Sequence, residues 1–219
     1  MTEAEWLTAT DPTPMLEYLK DKASGRKIRL FVVACARAVW DQLSVEEMRT
    51  AVETGERLAD SLASEDDRFQ MMQCLYRMPL NARQGNLELS QFFSTSSRER
   101  FGAYLAALVT VRPDRCHGLT TGPSWDASSL ATGRHQPGLL RDIFGNPFRP
   151  VAIKPEWLSS TVVALAHQMY ESRDFGAMPS LADALQDAGC DSDDILDHCR
   201  GPGPHVRGCW VVDLVLGKE

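Results

Sequence analysis

The chain has 219 residues, of which 43% are hydrophobic and 24% are charged, a composition typical of a globular protein with a sizeable core. Its 30 acidic residues outnumber its 23 Lys and Arg residues, and the formal net charge is -7 at pH 7. A chain with this balance is poorly suited to coat a phosphate backbone, so we expect no nucleic-acid partner.

The sequence also predicts neither a membrane protein nor a secreted one. No run approaches the roughly 20 apolar residues that a bilayer span needs. The first residues, Met1 to Glu5, are acidic, whereas a secretory signal begins with basic residues. Six cysteines are too few for a disulfide scaffold in a chain of this length. We therefore expect a cytoplasmic protein with no membrane partner.

Residues 1–112 predict a series of helices. Thr2 and Glu5 have the spacing of a capping box at the start of the first helix. Residues 27–43 are apolar on nearly all sides, which is typical of a central, buried helix. Ser64 is expected to cap a later amphipathic helix.

Residues 113–138 differ from the rest of the chain, because Gly, Pro, Ser and Thr crowd the segment and no apolar period survives. The segment predicts a long surface loop, and loops of this length are either functional or disordered. Trp125 stands alone in it and is a candidate anchor for a protein partner. Cys116 and His117 are interpreted as exposed loop residues, because sequence neighbours seldom face each other as a catalytic pair does.

Residues 139–219 predict a second helical part that packs on the first to form one domain. A helix is expected from Leu139 to Phe144, stopped by Gly145. Residues 151–153 are the segment most compatible with a short strand. Further helices are expected over about residues 156–175, 180–188, 192–199 and 205–216, with a terminal strand as the alternative for the last.

This succession of helices with short breaks predicts an all-α protein of about nine or ten helices. The arrangement expected is an irregular helical bundle or an α-solenoid-like stack. Two segments, residues 139–150 (LLRDIFGNPFRP) and 198–210 (HCRGPGPHVRGCW), are similar to a family of short proteins expanded in planctomycete bacteria of the Gemmata type. The resemblance covers nearly the whole chain and implies no particular activity. Residues 181–189 are weakly similar to the repeat-companion domain of the same bacteria, which fits a regulatory or scaffolding role.

The C-terminal run has the densest group of residues that could carry chemistry. Five of them are of the types that ligate zinc, namely Cys190, His198, Cys199, His205 and Cys209. No pair of them shows the two-residue gap of a zinc knuckle. The adjacent His198 and Cys199 would point about 100° apart on a helix. From this spacing we expect no bound metal and no other cofactor, with these five residues as the alternative metal site.

Two other interpretations of this run stay open. The turn at residues 201–204, with Cys209 and Trp210 packed inward, predicts a purely structural role. Arg200, His205 and Arg207 instead predict a compact basic site for a phosphate or for a carboxylate of a partner protein.

No catalytic signature stands out in the sequence. It contains no Gly-x-Ser-x-Gly, no Gly-rich phosphate loop and no His-Glu-x-x-His. We therefore expect no catalytic residues, and a non-enzymatic protein-interaction or regulatory module with an unknown protein partner. The alternative is an anion- or metal-binding sensor, or an enzyme, that uses the C-terminal cluster.

Overall fold

A computed structural model describes residues 1–38, 40–43, 46–83 and 136–218, with the backbone alone for residues 42 and 75–83. These ranges contain ten α-helices and two short 3-10 helices, and no residue in them lies in a β-strand. The predicted all-α class is therefore confirmed. Among the helices described, none is both long enough and apolar enough to cross a bilayer.

The α-helices are numbered here in chain order. They are α1 Glu3–Thr8, α2 Pro12–Leu19, α3 Gly25–Arg37, α4 Glu46–Ala59, α5 Glu65–Arg83, α6 Gln136–Phe144, α7 Ser160–Ser172, α8 Met178–Asp187, α9 Asp193–Arg200 and α10 Trp210–Leu216. The 3-10 helices are Trp40–Gln42 and Pro155–Trp157.

The chain divides into two compact units. The N-terminal unit contains α2 to α5, and the C-terminal unit consists of residues 1–9 and 138–218. The first helix therefore belongs with the C-terminal half of the sequence, a placement that the sequence did not predict. That both halves form one domain stays a prediction.

Residues 113–135 of the predicted loop at 113–138 lie outside the described residues, and this part includes Cys116, His117 and Trp125. Its last three positions, 136–138, are the first turn of α6, so the predicted end of the loop is wrong.

In the N-terminal unit, α3 is the apolar helix that the sequence predicts. The Ser24 side chain accepts a hydrogen bond from the Lys27 N–H at its start. Most of its side chains from Ile28 to Ala36 are buried. It ends at Arg37, six residues earlier than expected, where the guanidinium pairs with the nearly inaccessible Glu56 of α4 at 2.8 Å. An interior ion pair of this kind fixes how α3 and α4 are aligned.

In the C-terminal unit, α7 to α10 bury a common apolar core that extends from Trp157 to Val215. The short strand expected at residues 151–153 is wrong. These residues form an extended connector, because the neighbouring described elements are helices and offer no strand to pair with. The alternative of a terminal strand is also wrong, since residues 210–216 form α10.

Helix α10 begins at Trp210, five residues later than expected. Gly203 and Gly208 precede it with φ angles of 82° and 98°, which a right-handed helix does not allow. The segment 201–209 is therefore an irregular turn.

Helix α1 is attached to the end of α6 by hydrogen bonds. The Trp6 indole Nε1 donates to the Gly145 carbonyl at 3.0 Å. The Arg141 guanidinium donates to the carbonyls of Trp6 at 3.0 Å and Ala9 at 2.6 Å. The predicted capping box of Thr2 and Glu5 is confirmed. Together these contacts hold α6, and thus Asp142, in place.

Candidate metal centre

Four side chains from separate segments converge inside the C-terminal unit. They are Asp142 of α6, His198 of α9, His205 of the turn and Cys209 at the start of α10. One potential ligand atom of each lies within 4.8 Å of the other three. Asp142 and Cys209 are buried, and the two histidines are half-buried.

Three of the separations between these atoms are close to those of a metal coordination sphere. Asp142 Oδ1 lies 2.9 Å from His205 Nδ1 and 3.2 Å from His198 Nε2. His198 Nε2 also lies 3.2 Å from Cys209 Sγ. Zinc-ligand bonds of about 2.0 to 2.3 Å place neighbouring ligand atoms of a tetrahedron roughly 3.3 to 3.7 Å apart. Small movements of the side chains would therefore suffice to surround an ion.

Backbone groups orient two of these side chains from the outside. The Val206 N–H donates to Asp142 Oδ2 at 2.9 Å. His205 Nε2 lies 3.4 Å from the Gly201 carbonyl oxygen. Contacts of this kind are typical around metal ligands, where they fix the ring tautomer and leave the other atom free for the metal.

The contacts of His205 are compatible with a cation at the centre. Both of its ring nitrogens face acceptors, Gly201 O and the Asp142 carboxylate, but a neutral imidazole has only one N–H. If Nε2 carries that proton, the lone pair of Nδ1 points at a carboxylate oxygen. In that tautomer, a second proton on the ring or a positive ion between the two atoms would satisfy the contact, whereas in the other tautomer the Nδ1–H donates directly to Asp142.

The buried carboxylate dominates the electrostatics of the cluster. Burial raises the pKa of Asp142, but the hydrogen bonds and positive charge of His198 and His205 outweigh burial and leave the pKa below its ordinary value. Burial lowers the pKa of His205, and here the hydrogen bond and charge of Asp142 prevail and raise it. Burial also raises the pKa of the Cys209 thiol well above its ordinary value. Without a metal ion, Asp142 is thus an anion and Cys209 a neutral thiol.

The local sequence explains how His205 reaches Asp142. Gly203 has a φ of 82°, and a Cβ there would lie 3.1 Å from the His205 backbone nitrogen. A residue with a side chain at this position would therefore be strained and crowded. The glycine-proline turn is what brings His205 back toward α6.

Comparison of the chain with protein-family models, with curated proteins and with solved structures gave no match. The resemblance to the planctomycete family therefore stays a prediction, and the function has to be inferred from the geometry of the site.

The structure brings together three of the five Cys and His residues singled out in the sequence, His198, His205 and Cys209. Cys190 and Cys199 lie in the apolar core instead. Burial raises the pKa of the Cys199 thiol to about 12, as expected for a packing residue.

The fourth member, Asp142, was missed because it lies 63 residues before His205. A signal for it was present in the sequence. Asp142 lies three residues after the buried Leu139 and therefore on the same side of α6. An acidic residue on the apolar face of a helix needs a buried partner.

The three residues of the predicted basic site have separate partners. Arg200 donates to Asp183 at 3.0 Å and to Gln186 at 2.7 Å. His205 faces Asp142, and the Arg207 guanidinium lies 4.4 Å from the centre of the Tyr170 ring. Anion binding by these residues stays a prediction, as does partner binding by Trp125, which lies outside the described residues.

Proposed function

We propose that the C-terminal unit is a non-enzymatic module that binds a divalent transition-metal ion between Asp142, His198, His205 and Cys209. The observation that carries the proposal is the convergence of four potential ligand atoms within 4.8 Å of one another. Cysteine and histidine spacing alone led us to expect a metal-free chain. That expectation could not take account of Asp142, which lies far outside the C-terminal run.

A structural role follows from the positions of the four ligands. An ion at this point would join α6, α9, the turn and the start of α10, which are separate segments of the C-terminal unit. The binding free energy of a metal that joins such segments adds to the free energy of folding. Four protein ligands also fill a tetrahedral site, whereas a catalytic metal keeps a position open for water or substrate. This supports the non-enzymatic interpretation.

The test is metal content combined with thermal unfolding. We expect about one transition-metal ion per chain by elemental analysis, and a lower melting temperature after treatment with a chelator. His205→Ala should lose both the ion and the response to the chelator. His167→Ala is the matched control, because His167 is an exposed histidine of α7 outside the cluster. A chain that binds no metal after purification and after reconstitution would overturn the proposal.

The second part of the proposal is that the protein binds a protein partner in the cytoplasm. Partner binding is supported by two exposed apolar side chains of the N-terminal unit, Leu62 at 62% and Phe69 at 51% exposure. Contiguous exposed apolar patches mark protein interaction sites, and Leu62 and Phe69 are the candidates for such a patch in this unit. Affinity purification with the native chain and with a Leu62→Ser/Phe69→Ser variant tests this role. If the native chain and the variant recover the same proteins, Leu62 and Phe69 do not form the partner-binding surface.

A further inference from the structure

We infer that the ion is zinc, held in a closed four-coordinate sphere by Asp142 Oδ1, His198 Nε2, His205 Nδ1 and the Cys209 thiolate. This inference rests on the proposed metal binding and goes further, because it names the ion, the bonding atoms and the coordination number.

The types of donor atom select among ions. Magnesium and calcium prefer six to eight oxygen ligands, but the cluster offers two ring nitrogens, one sulfur and one carboxylate oxygen. Imidazole and thiolate ligands suit zinc and its spectroscopic substitute, cobalt(II).

Cys209 distinguishes this site from an iron centre. Two histidines and a carboxylate alone resemble the three-residue set of non-haem iron enzymes, which keeps further positions open for oxygen and substrate. Here the Cys209 sulfur lies only 3.2 Å from His198 Nε2 and occupies the fourth corner. The site is therefore closed.

Two of the atoms that would not bind the ion already have other contacts. Asp142 Oδ2 is held by the Val206 N–H, so the carboxylate presents one oxygen to the centre. His205 Nε2 faces the Gly201 carbonyl, so the ring presents Nδ1. This arrangement fits one ligand atom per residue.

The carboxylate and the thiol of the cluster are shielded from water. Asp142 is 2% exposed, and Cys209 is fully buried. The Trp210 ring covers His198 at a centroid distance of 5.2 Å, and the two histidine rings meet edge to face at 5.0 Å. When zinc binds, a zinc-sulfur bond forms, the Cys209 S–H bond breaks and its proton leaves to solvent. No oxidation or reduction takes place.

Titration of the metal-stripped full-length chain with Co²⁺ tests the inference. We expect one ion per chain, the intense visible bands of tetrahedral cobalt and a sulfur-to-cobalt charge-transfer band in the near ultraviolet. Equimolar Zn²⁺ should remove both signals, and a large excess of Mg²⁺ should change neither. Cys209→Ser should lose the charge-transfer band and weaken zinc binding by more than about 100-fold, beyond the 10- to 100-fold loss typical of an outer-shell contact. Cys190→Ser should retain both.

X-ray absorption of the zinc-loaded wild type gives an independent measurement that does not depend on the folding of a variant. We expect one sulfur and three nitrogen or oxygen neighbours around the ion. Weak visible bands typical of six-coordinate cobalt would overturn this inference and leave the proposed metal binding intact. The absence of a sulfur neighbour would overturn this inference and would also remove Cys209 from the proposed metal site. Failure to bind either ion would overturn the proposed function itself.

Discussion

At the scale of single residues, Gly145 joins three parts of the C-terminal unit. It ends α6 with a φ of 63°, and its carbonyl accepts the hydrogen bond from Trp6. A Cβ at this position would lie 3.1 to 3.4 Å from the Trp210 ring. Both its conformation and its contacts therefore require glycine.

We expect Gly145→Ala to destabilise the protein more than Gly217→Ala. Gly217 has nearly the same φ, 62°, but has no atom within 4 Å of a Cβ built there. The backbone penalty of about 1 to 2 kcal/mol is shared by both substitutions. Only Gly145→Ala also displaces the Trp210 ring, and overpacking of this kind adds about 1 to 3 kcal/mol. Equal losses in urea unfolding would show that the ring moves aside without resistance.

At the scale of elements, the start of α5 is set by a reciprocal pair of polar residues. The Ser64 N–H and hydroxyl both donate to Asp67 Oδ2 at 2.8 Å, and the Asp67 N–H donates back to Ser64 at 3.1 Å. The prediction that Ser64 caps this helix is confirmed. The hydrogen bond from the Ser64 backbone N–H has the largest effect on Asp67 and lowers its pKa, and the hydrogen bond from the Ser64 hydroxyl lowers it further.

A lowered pKa makes this cap sensitive to acid. A carboxyl group with a lower pKa in the folded chain stabilises the fold above its unfolded pKa of about 3.9, and this stabilisation disappears as the pH falls through the folded pKa. Asp67→Asn should therefore reduce stability at pH 7 and have less effect at pH 2. Asp66→Asn, which removes the same charge from the same helical turn, is the control. If the effect of Asp67→Asn is as large at pH 2 as at pH 7, its carboxylate is not the source of the stabilisation.

Local patterns in the sequence were sufficient for most helices but not for the site. The capping residues Thr2 and Ser64 and the stop at Gly145 mark helix ends that the structure confirms. The expected strand at 151–153 failed because strand formation depends on a partner strand, which local sequence does not specify. Asp142 was missed because the side chains that it contacts lie in α9 and in the segments after it, and local sequence does not specify such distant contacts.

At the scale of the whole molecule, the two units should respond differently to the metal. All four proposed metal ligands lie in the C-terminal unit, so metal binding should stabilise residues 1–9 and 138–218. We expect a chelator to increase hydrogen exchange in α6, α9 and α10 and to leave α3 and α4 unchanged, as measured by mass spectrometry. Uniform loss of protection along the chain would instead show that the units unfold together.

The hydrogen bond from Trp6 to Gly145 has a consequence for synthesis of the chain. Its two residues are 139 positions apart. At translation rates of about 5 to 20 residues per second, Trp6 is added to the chain roughly 7 to 28 s before Gly145 is made. During this interval the Trp6 indole lacks its native hydrogen-bond acceptor, and it is a natural target for chaperones that bind exposed aromatic groups. The C-terminal unit is therefore completed only after α6 is made, when α1 can pack against Arg141 and Gly145.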